Sequence, residues 1–165
     1  MNTDAFYRKI AKSIKKDGMM MMGVFSDGTR PSFTYTIGLY EKYGYEVILV
    51  GVPNNHAGHI LNSVRDSLKA GFEIELGKVY AADAPENTWA RANTRFMLCD
   101  SPELYTDYAV QAQRYYANAI TTAPEIPVYQ MVIPDRAGRM PEDPAYDHAY
   151  MDHRQPLLYG HKGRH

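Results

Sequence analysis

The run Glu46-Val-Ile-Leu-Val-Gly-Val52 constrains the fold more than any other part of this sequence. It carries no polar residue after Glu46, and a strand of that composition is buried on both faces. The turn residues Tyr43-Gly44-Tyr45 precede it, and Pro53 ends it because proline cannot continue a hydrogen-bonded strand. The sequence therefore predicts that this run lies in the middle of a β-sheet.

Five further segments have the character of strands, namely 19–26, 33–39, 72–76, 94–99 and 127–133. The first two form a hairpin across a loop that contains Asp27-Gly28 and Arg30-Pro31. In the second, apolar residues at 33, 35 and 37 alternate with Thr34, Thr36 and Gly38, a period of two that is typical of a half-buried strand. Gly38 indicates a bulge or a close approach of another backbone segment.

Helical spacing occurs in three places. Apolar residues three and four positions apart predict helices over about 4–17 and 55–70, which end at Gly18 and Gly71. Ser101 as the N-cap and Pro102 at the first helical position begin a third helix, which runs to about 119.

The order of these elements predicts an α+β fold, with a mixed, mostly antiparallel sheet of about six strands packed by three helices. We expect a single domain over 1–159, since 165 residues suit one hydrophobic core. After Pro134 the periodicity fades into a long irregular C-terminal tail. We expect Pro156-Leu-Leu-Tyr159 to dock back on the domain and 160–165 to form a mobile C-terminal end.

Composition narrows the partners and the compartment. The 18 Lys and Arg residues nearly balance the 19 Asp and Glu residues, so no basic field attracts nucleic acid. No membrane association is expected, because the N-terminus lacks a signal pattern and the apolar run from Met19 to Phe25 is too short to span a bilayer. Cys99 is the single cysteine and sits in an apolar run, which fits an inert thiol in the reducing cytoplasm.

Tyrosine is unusually frequent, with 14 residues against 5 Phe and 1 Trp. A tyrosine combines an apolar ring with a hydroxyl that needs a partner when buried, so tyrosine-rich chains suit half-wet surfaces and interfaces. This excess favours a recognition role. The sequence leaves open whether the chain forms a homo-oligomer.

Templates for catalysis and for cofactors do not occur. No nucleophile elbow, phosphate loop or dinucleotide fingerprint can be found, and we expect no cofactor. His56-Ala-Gly-His59 brings two imidazoles three positions apart, near enough to share a metal. Because HEXXH and paired CXXC patterns are missing, His56 and His59 are weak candidates and no metal is expected.

A set of polar side chains forms the candidate ligand site: Tyr35, Asn62, Gln130, Asp135 and Gln155. Amides donate and accept at once, so they suit either a planar ligand or the fastening of irregular backbone. Asp135 follows Pro134, where a carboxylate can accept backbone N–H groups in an Asx-turn or act as a general base. Two interpretations stay open: a ligand site, or pins that hold the tail to the edge of the sheet.

Several short motifs follow one another along the chain, each occurring once: Phe33-Thr-Tyr-Thr-Ile-Gly-Leu39, Gly51-Val-Pro53, Asn62, Gly71, Gln130-x-x-x-Pro134-Asp135, Gly138, Pro141 and Gln155-Pro156. In order and spacing they resemble DUF4262, a bacterial family of domains of unknown function, over nearly the whole chain. The resemblance implies a small cytoplasmic bacterial or phage protein and implies no reaction. It nominates the same five polar residues as candidates.

Two functional hypotheses follow. The first is a non-enzymatic binding protein of unknown ligand, for which an immunity or anti-defence type that sequesters a toxin or a small nucleotide-like molecule is one form. The second is a small-molecule enzyme of the hydrolase or transferase type, with Asp135 as general base and with Gln130 and Gln155 orienting the substrate.

Overall fold

The structure, a computed structural model, describes residues 3–119 and 125–161. The described strands are Met20–Val24 (β1), Phe33–Ile37 (β2), Glu46–Val50 (β3), Val79–Tyr80 (β4), Thr94–Leu98 (β5) and Val128–Val132 (β6). The described helices are Thr3–Asp17 (α1), Leu39–Tyr43 (α2), Asn54–Lys69 (α3), the π-helix Leu104–Tyr108, Val110–Ala119 (α4) and His148–Arg154 (α5). None of these helices is long and apolar enough to cross a lipid bilayer.

The described strands form one six-stranded sheet in the order β1-β2-β3-β6-β5-β4. The pair β3 and β6 is parallel, with Ile48 opposite Gln130, and every other neighbouring pair is antiparallel. The predicted α+β fold with a mixed, mostly antiparallel sheet is therefore confirmed. The interior position of β3 is confirmed as well, since it lies between β2 and β6.

Helices pack on both faces of this sheet and divide the core into two clusters. On one face, α1, the π-helix and α4 pack on the alternate residues of β2 and β3 that include Tyr35 and Ile48. On the other face, α3 packs on Val47, Leu49 and Met131. The uninterrupted apolar sequence of β3 follows from this arrangement, because its side chains enter one cluster or the other.

The polar residues that alternate along β2 are buried, not exposed to solvent as expected. All five residues of β2 are buried, so the prediction of a half-buried strand is wrong. The threonine face is covered by α3, and Asn54 Nδ2 donates to the Thr34 hydroxyl at 2.9 Å. The Thr36 hydroxyl donates to Glu46 at 2.7 Å. These threonines are buried with hydrogen-bond partners, so their polarity did not indicate exposure.

Gly38 makes the close backbone approach that the sequence indicated. Its φ is +125°, and a Cβ there would lie 3.0 Å from the carbonyl oxygen of Gly18 and 2.8 Å from the Ile14 side chain. The end of α1 can therefore pack directly against the turn that follows β2.

Two predicted elements differ from the structure. The strand expected over 72–76 is wrong, because residues 72–75 are irregular and pairing begins only at Val79. Their apolar residues serve packing instead: the Phe72 ring lies 5.3 Å from Trp89 between centroids. The third predicted helix is not continuous, because the π-helix ends at Tyr108 before α4 begins. The next residue, Ala109, caps the π-helix, and its N–H donates to the Leu104 carbonyl at 2.7 Å.

The C-terminal tail docks on the domain as predicted. Leu158 is buried, its N–H donates to Gln130 Oε1 at 2.8 Å, and its carbonyl accepts from the N–H groups of Asp100 and Ser101. The tail also contains α5, which periodicity did not indicate. It is fastened beside β6, an interior strand, so the expectation of a sheet edge was wrong. Of the predicted mobile end, residues 162–165 lie outside the described residues.

Candidate ligand-binding site

An open cleft of about 670 Å³ lies where the parallel strands β3 and β6 end. Val52 and Pro53, which follow β3, line it together with Ile133 and Pro134, which follow β6. Sheets with parallel strands commonly bind ligands outside the carboxyl ends of those strands. Small-molecule sites occupy roughly 300–1,000 Å³, and the cleft falls within that range.

The first three turns of α3 form one wall of the cleft. His56, His59, Ile60 and Ser63 line it, because residues three and four positions apart share a helix face. Both histidines are exposed, so their imidazoles are accessible from the cleft. Among the described residues no group of three His, Cys, Asp or Glu side chains is arranged to hold a metal ion.

The loop between β4 and β5 forms a second wall, and the buried side chain of Asn87 organises it. Its Nδ2 donates to the carbonyls of Tyr80, Ala81 and Ala92 at 3.0–3.2 Å, and its Oδ1 accepts from the Ala90 N–H at 3.1 Å. Next to it, Trp89 Nε1–H donates to the Thr94 hydroxyl at 2.9 Å. These bonds hold the loop in one conformation, so the wall exists before any ligand arrives.

Arg154, at the end of α5, lines the cleft and is fixed against the turn that follows β3. Its Nε donates to the Gly51 carbonyl at 3.0 Å. Gly51 has a φ of +83°, and a Cβ there would lie 2.0 Å from the Arg154 carbonyl oxygen. Only glycine permits this contact, which explains why Gly51 interrupts the apolar run.

Two of the predicted site residues fasten the tail to β6. Gln130 is buried in β6; its Nε2 donates to the Pro156 carbonyl at 3.1 Å and its Oε1 accepts from the tail at Leu158. Gln155 is also buried, and its amide pairs with both backbone groups of Ile133. Both amides have protein partners, which favours the interpretation as pins.

Asp135 borders the cleft, yet its carboxylate is enclosed by its own loop. Its side chain has 0% exposure and forms an ion pair with Arg139 at 2.9 Å. Its oxygens also accept from the backbone N–H groups of Ala137, Arg139 and Asp147 at 2.9–3.1 Å. Burial alone would raise the pKa of Asp135, but these hydrogen bonds lower it to about 2. A carboxylate so occupied is a weak base, and the geometry is that of a turn stabilised by an aspartate.

Comparison with protein families identifies the relationship. The sequence model of the family described as "Domain of unknown function (DUF4262)" matches residues 13–147, which is most of the chain. The chain belongs to the DUF4262 family. No curated protein and no solved structure matches it. The match ends at Asp147, so Arg154, Gln155 and the rest of the docked tail lie beyond the part that matches the DUF4262 model.

The two remaining candidates lie apart from each other. Tyr35, within the DUF4262 match, is buried on the face of the sheet opposite α3, and its hydroxyl accepts from the Gln111 N–H at 3.0 Å. Burial raises the pKa of Tyr35 to about 12, although that hydrogen bond opposes the shift. Asn62 is half-buried on α3 and does not line the cleft. The structure therefore does not bring the five candidates into one site.

Glu46 is a buried acid of this DUF4262 chain that the pattern of the sequence did not single out. Five groups donate to its carboxylate at 2.7–3.1 Å: the hydroxyls of Thr36 and Tyr116 and the backbone N–H groups of Gly38, Leu39 and Tyr40. Burial raises the pKa of Glu46 to about 7, and the hydrogen bonds from Thr36 and Tyr116 oppose that shift. Its position joins β2, the start of α2 and α4, which is a structural role.

Sequence reasoning also missed Arg91 and Arg154 as cleft residues of the DUF4262 protein. Two signals bear on Arg154: the Gly-Val-Pro turn after the central strand, and its position directly before Gln155-Pro156. No local pattern distinguishes Arg91 from other loop arginines. Only the folded chain brings the two residues to the same cleft.

Proposed function

We propose that this protein is a non-enzymatic binding protein whose small-molecule ligand occupies the cleft at the ends of β3 and β6. One observation carries the proposal: the cleft is open and its walls are held in place by internal hydrogen bonds. A preformed site lowers the entropic cost of binding, because little of the protein has to be ordered around the ligand. The cleft volume of about 670 Å³ is large enough for a small nucleotide-like molecule.

A protein toxin is the other partner considered for such a binding protein, in an immunity or anti-defence role. The tyrosine excess is one of the sequence features that favour it, because tyrosines suit an interaction surface. Of the 14 tyrosines, seven are buried and seven are half-buried. Their rings therefore contribute to the core and its margins, and the cleft favours the small-molecule form of the proposal.

An enzyme that uses Asp135 as general base is the second candidate, because Asp135 borders the cleft. Its shielded and ion-paired carboxylate gives this candidate less support than the binding function has. We also propose a bacterial source and a cytoplasmic location. The single cysteine, Cys99, is a free thiol and leaves no internal disulfide, which is usual for proteins of the reducing cytoplasm and supports that location.

Native mass spectrometry of the purified chain, followed by thermal-shift screening against a bacterial metabolite extract, tests the binding function. Ala82→Trp adds bulk at an exposed position of the cleft, and Ala11→Trp makes the same change at an exposed position of α1. We expect a ligand that binds the wild type and Ala11→Trp but not Ala82→Trp. A ligand indifferent to Ala82→Trp, or no ligand at all, would overturn the proposal. Capture of a toxin by the Ala82→Trp variant would favour the immunity role.

A further inference from the structure

We propose that the cleft selects small molecules that carry an oxyanion, either a phosphate or a carboxylate, with Arg91 and Arg154 as its counter-charges. This inference rests on the proposed binding function and specifies the class of ligand. It follows from two arginines that line the cleft and have no carboxylate partner among the described residues.

Arg154 is positioned before any ligand binds. Its Nε is occupied by the Gly51 carbonyl, and Nη1 lies 3.5 Å from the Tyr150 hydroxyl. A guanidinium has five N–H donors in a rigid fork, so donors remain for a further acceptor. No carboxylate lies within 4.0 Å of Arg154 among the described residues. The charge is therefore held at the cleft wall without an internal counter-ion.

Arg91 brings a second cation from a different element. It is exposed on the loop that Asn87 organises, and within the described ranges it too has no carboxylate partner. Four other arginines form ion pairs: Arg30 with Asp27, Arg65 with Asp66, Arg95 with Glu142 and Arg139 with Asp135. Arg8, Arg114 and Arg136 also have no carboxylate within 4.0 Å among the described residues. What distinguishes Arg91 and Arg154 is that both line the cleft, where a bound anion supplies the missing counter-charge.

The rest of the lining adds polar groups and an apolar floor. His56, His59 and Ser63 supply hydrogen-bonding groups, while Ile60 and Met131 supply apolar contact. Asp135 is the acidic residue of the lining, and Arg139 already balances its charge. The cleft is thus positive in a chain whose net charge is −1, so the positive character is local. Such a site fits an ionised head group attached to a less polar body.

Titration of the full chain with pyrophosphate, AMP and citrate, monitored by ¹H–¹⁵N NMR, tests this inference. Adenosine is the neutral control for AMP. We expect the anions to shift the amides of 56–63 and the arginine Nε–H signals, and adenosine to bind at least about tenfold more weakly than AMP, since hydrogen bonds to charged groups are the stronger ones. Pyrophosphate and AMP report on phosphates, and citrate reports on carboxylates.

Three variants locate the effect. Arg91→Met and Arg154→Met should each weaken anion binding about tenfold or more, whereas Arg8→Met, the same change at an exposed position of α1, should leave it unchanged. Because Arg154 also contacts Gly51, a fold defect in its variant is checked by thermal unfolding. Arg91 is exposed and carries the test on its own if that variant is destabilised.

The results that would overturn the selection of oxyanions differ from those that would overturn the binding function. If none of the anions binds, or if Arg91→Met binds them as tightly as Arg8→Met does, the selection of oxyanions is overturned. The selection of oxyanions is also overturned if the ligand found is neutral and no longer binds the Ala82→Trp variant. That result would leave the binding function intact. If no ligand of any charge enters the cleft, both proposals fail.

Discussion

The side-chain amide of Gln155 takes the place of a strand partner for Ile133. Its Oε1 accepts from the Ile133 N–H at 2.7 Å, and its Nε2 donates to the Ile133 carbonyl at 2.9 Å. β6 ends one residue earlier, at Val132, so the tail supplies the hydrogen bonds that the sheet no longer provides. This pairing fastens α5, and with it Arg154, beside the cleft.

Replacing Gln155 by Leu should therefore destabilise the fold. Leucine is similar in size but leaves both backbone groups of Ile133 without a partner, which we expect to cost about 1 to 3 kcal/mol. Urea unfolding monitored by the fluorescence of Trp89, the single tryptophan, measures the loss. Gln111→Leu makes the same chemical change at a half-buried helical position and should change the free energy of unfolding by no more than about 0.5 kcal/mol. Equal losses in the two variants would contradict the role given to Gln155.

Asp135→Asn distinguishes a structural pin from a general base. We expect a lower urea midpoint, because an amide nitrogen in place of Oδ2 cannot accept the hydrogen bonds that Arg139 Nε and the Asp147 N–H donate. The matched change Asp83→Asn, on the exposed part of the β4–β5 loop, should leave the midpoint unchanged. A variant that keeps its midpoint but loses turnover of a substrate would instead support the enzyme.

Lowering the pH should reveal how much the ionised carboxylate of Asp135 stabilises the fold. The pKa of Asp135 is lowered from 3.8 to about 2 in the folded protein, so its ionised form stabilises the fold above pH 4. That contribution is lost as the pH falls from about 4 to about 2. The difference in urea midpoint between the wild type and Asp135→Asn should shrink over this interval. A difference that stays constant would show that ionisation of Asp135 contributes nothing.

Glu46 should produce the opposite pH dependence. Its pKa is raised from 4.5 to about 7, so between these values the folded protein binds more protons than the unfolded chain does. Stability from this group is full below about pH 4.5 and is lost as the pH rises to about 7, a change on the order of 3 kcal/mol at about 1.4 kcal/mol per pKa unit. A ¹³C NMR titration of the glutamate side chains should show one carboxyl with a midpoint near 7 that is missing in Glu46→Gln. If every glutamate titrates near 4.5, this prediction fails.

Gly51→Ala and Gly44→Ala separate backbone strain from steric collision. Gly51 and Gly44 have φ values of +83° and +89°, but a Cβ at Gly44 meets nothing within 4 Å whereas one at Gly51 would lie 2.0 Å from the Arg154 carbonyl. Gly44→Ala should cost about 1 to 2 kcal/mol for the left-handed conformation alone. Gly51→Ala should cost clearly more in urea unfolding, because α5 must move. Similar costs would mean that the contact with Arg154 is easily relieved.

The sheet could be predicted from the sequence where burial leaves a local pattern. The apolar run from Val47 to Val52 indicated an interior strand, and alternation in β2 indicated the correct period. The same alternation led to a wrong prediction that the threonine face of β2 is exposed. In sequence, a threonine that donates to a buried carboxylate cannot be distinguished from one that faces water. Likewise Phe72 and Ile74 alternate as in a strand, although their side chains pack around an irregular loop.

The cleft could not be predicted, because it depends on which distant segments meet. Nothing local to residue 91 or residue 154 indicates that the two arginines line one cavity with α3. The polar residues that the sequence did highlight, such as Gln130 and Asp135, are prominent because they fasten irregular backbone. Polar residues at the end of a strand can serve architecture as well as binding, and the sequence alone does not distinguish the two.

The parallel pairing of β3 with β6 has a consequence for biosynthesis. Residues 51–127 lie between the two strands, so a ribosome adding roughly 5–20 residues per second needs several seconds to deliver the partner of β3 after β3 itself has emerged. During that interval one long side of the most apolar strand has no hydrogen-bond partner. The nascent chain is therefore most prone to aggregation just before β6 appears, and pairing across so large a sequence separation makes slow folding the expectation.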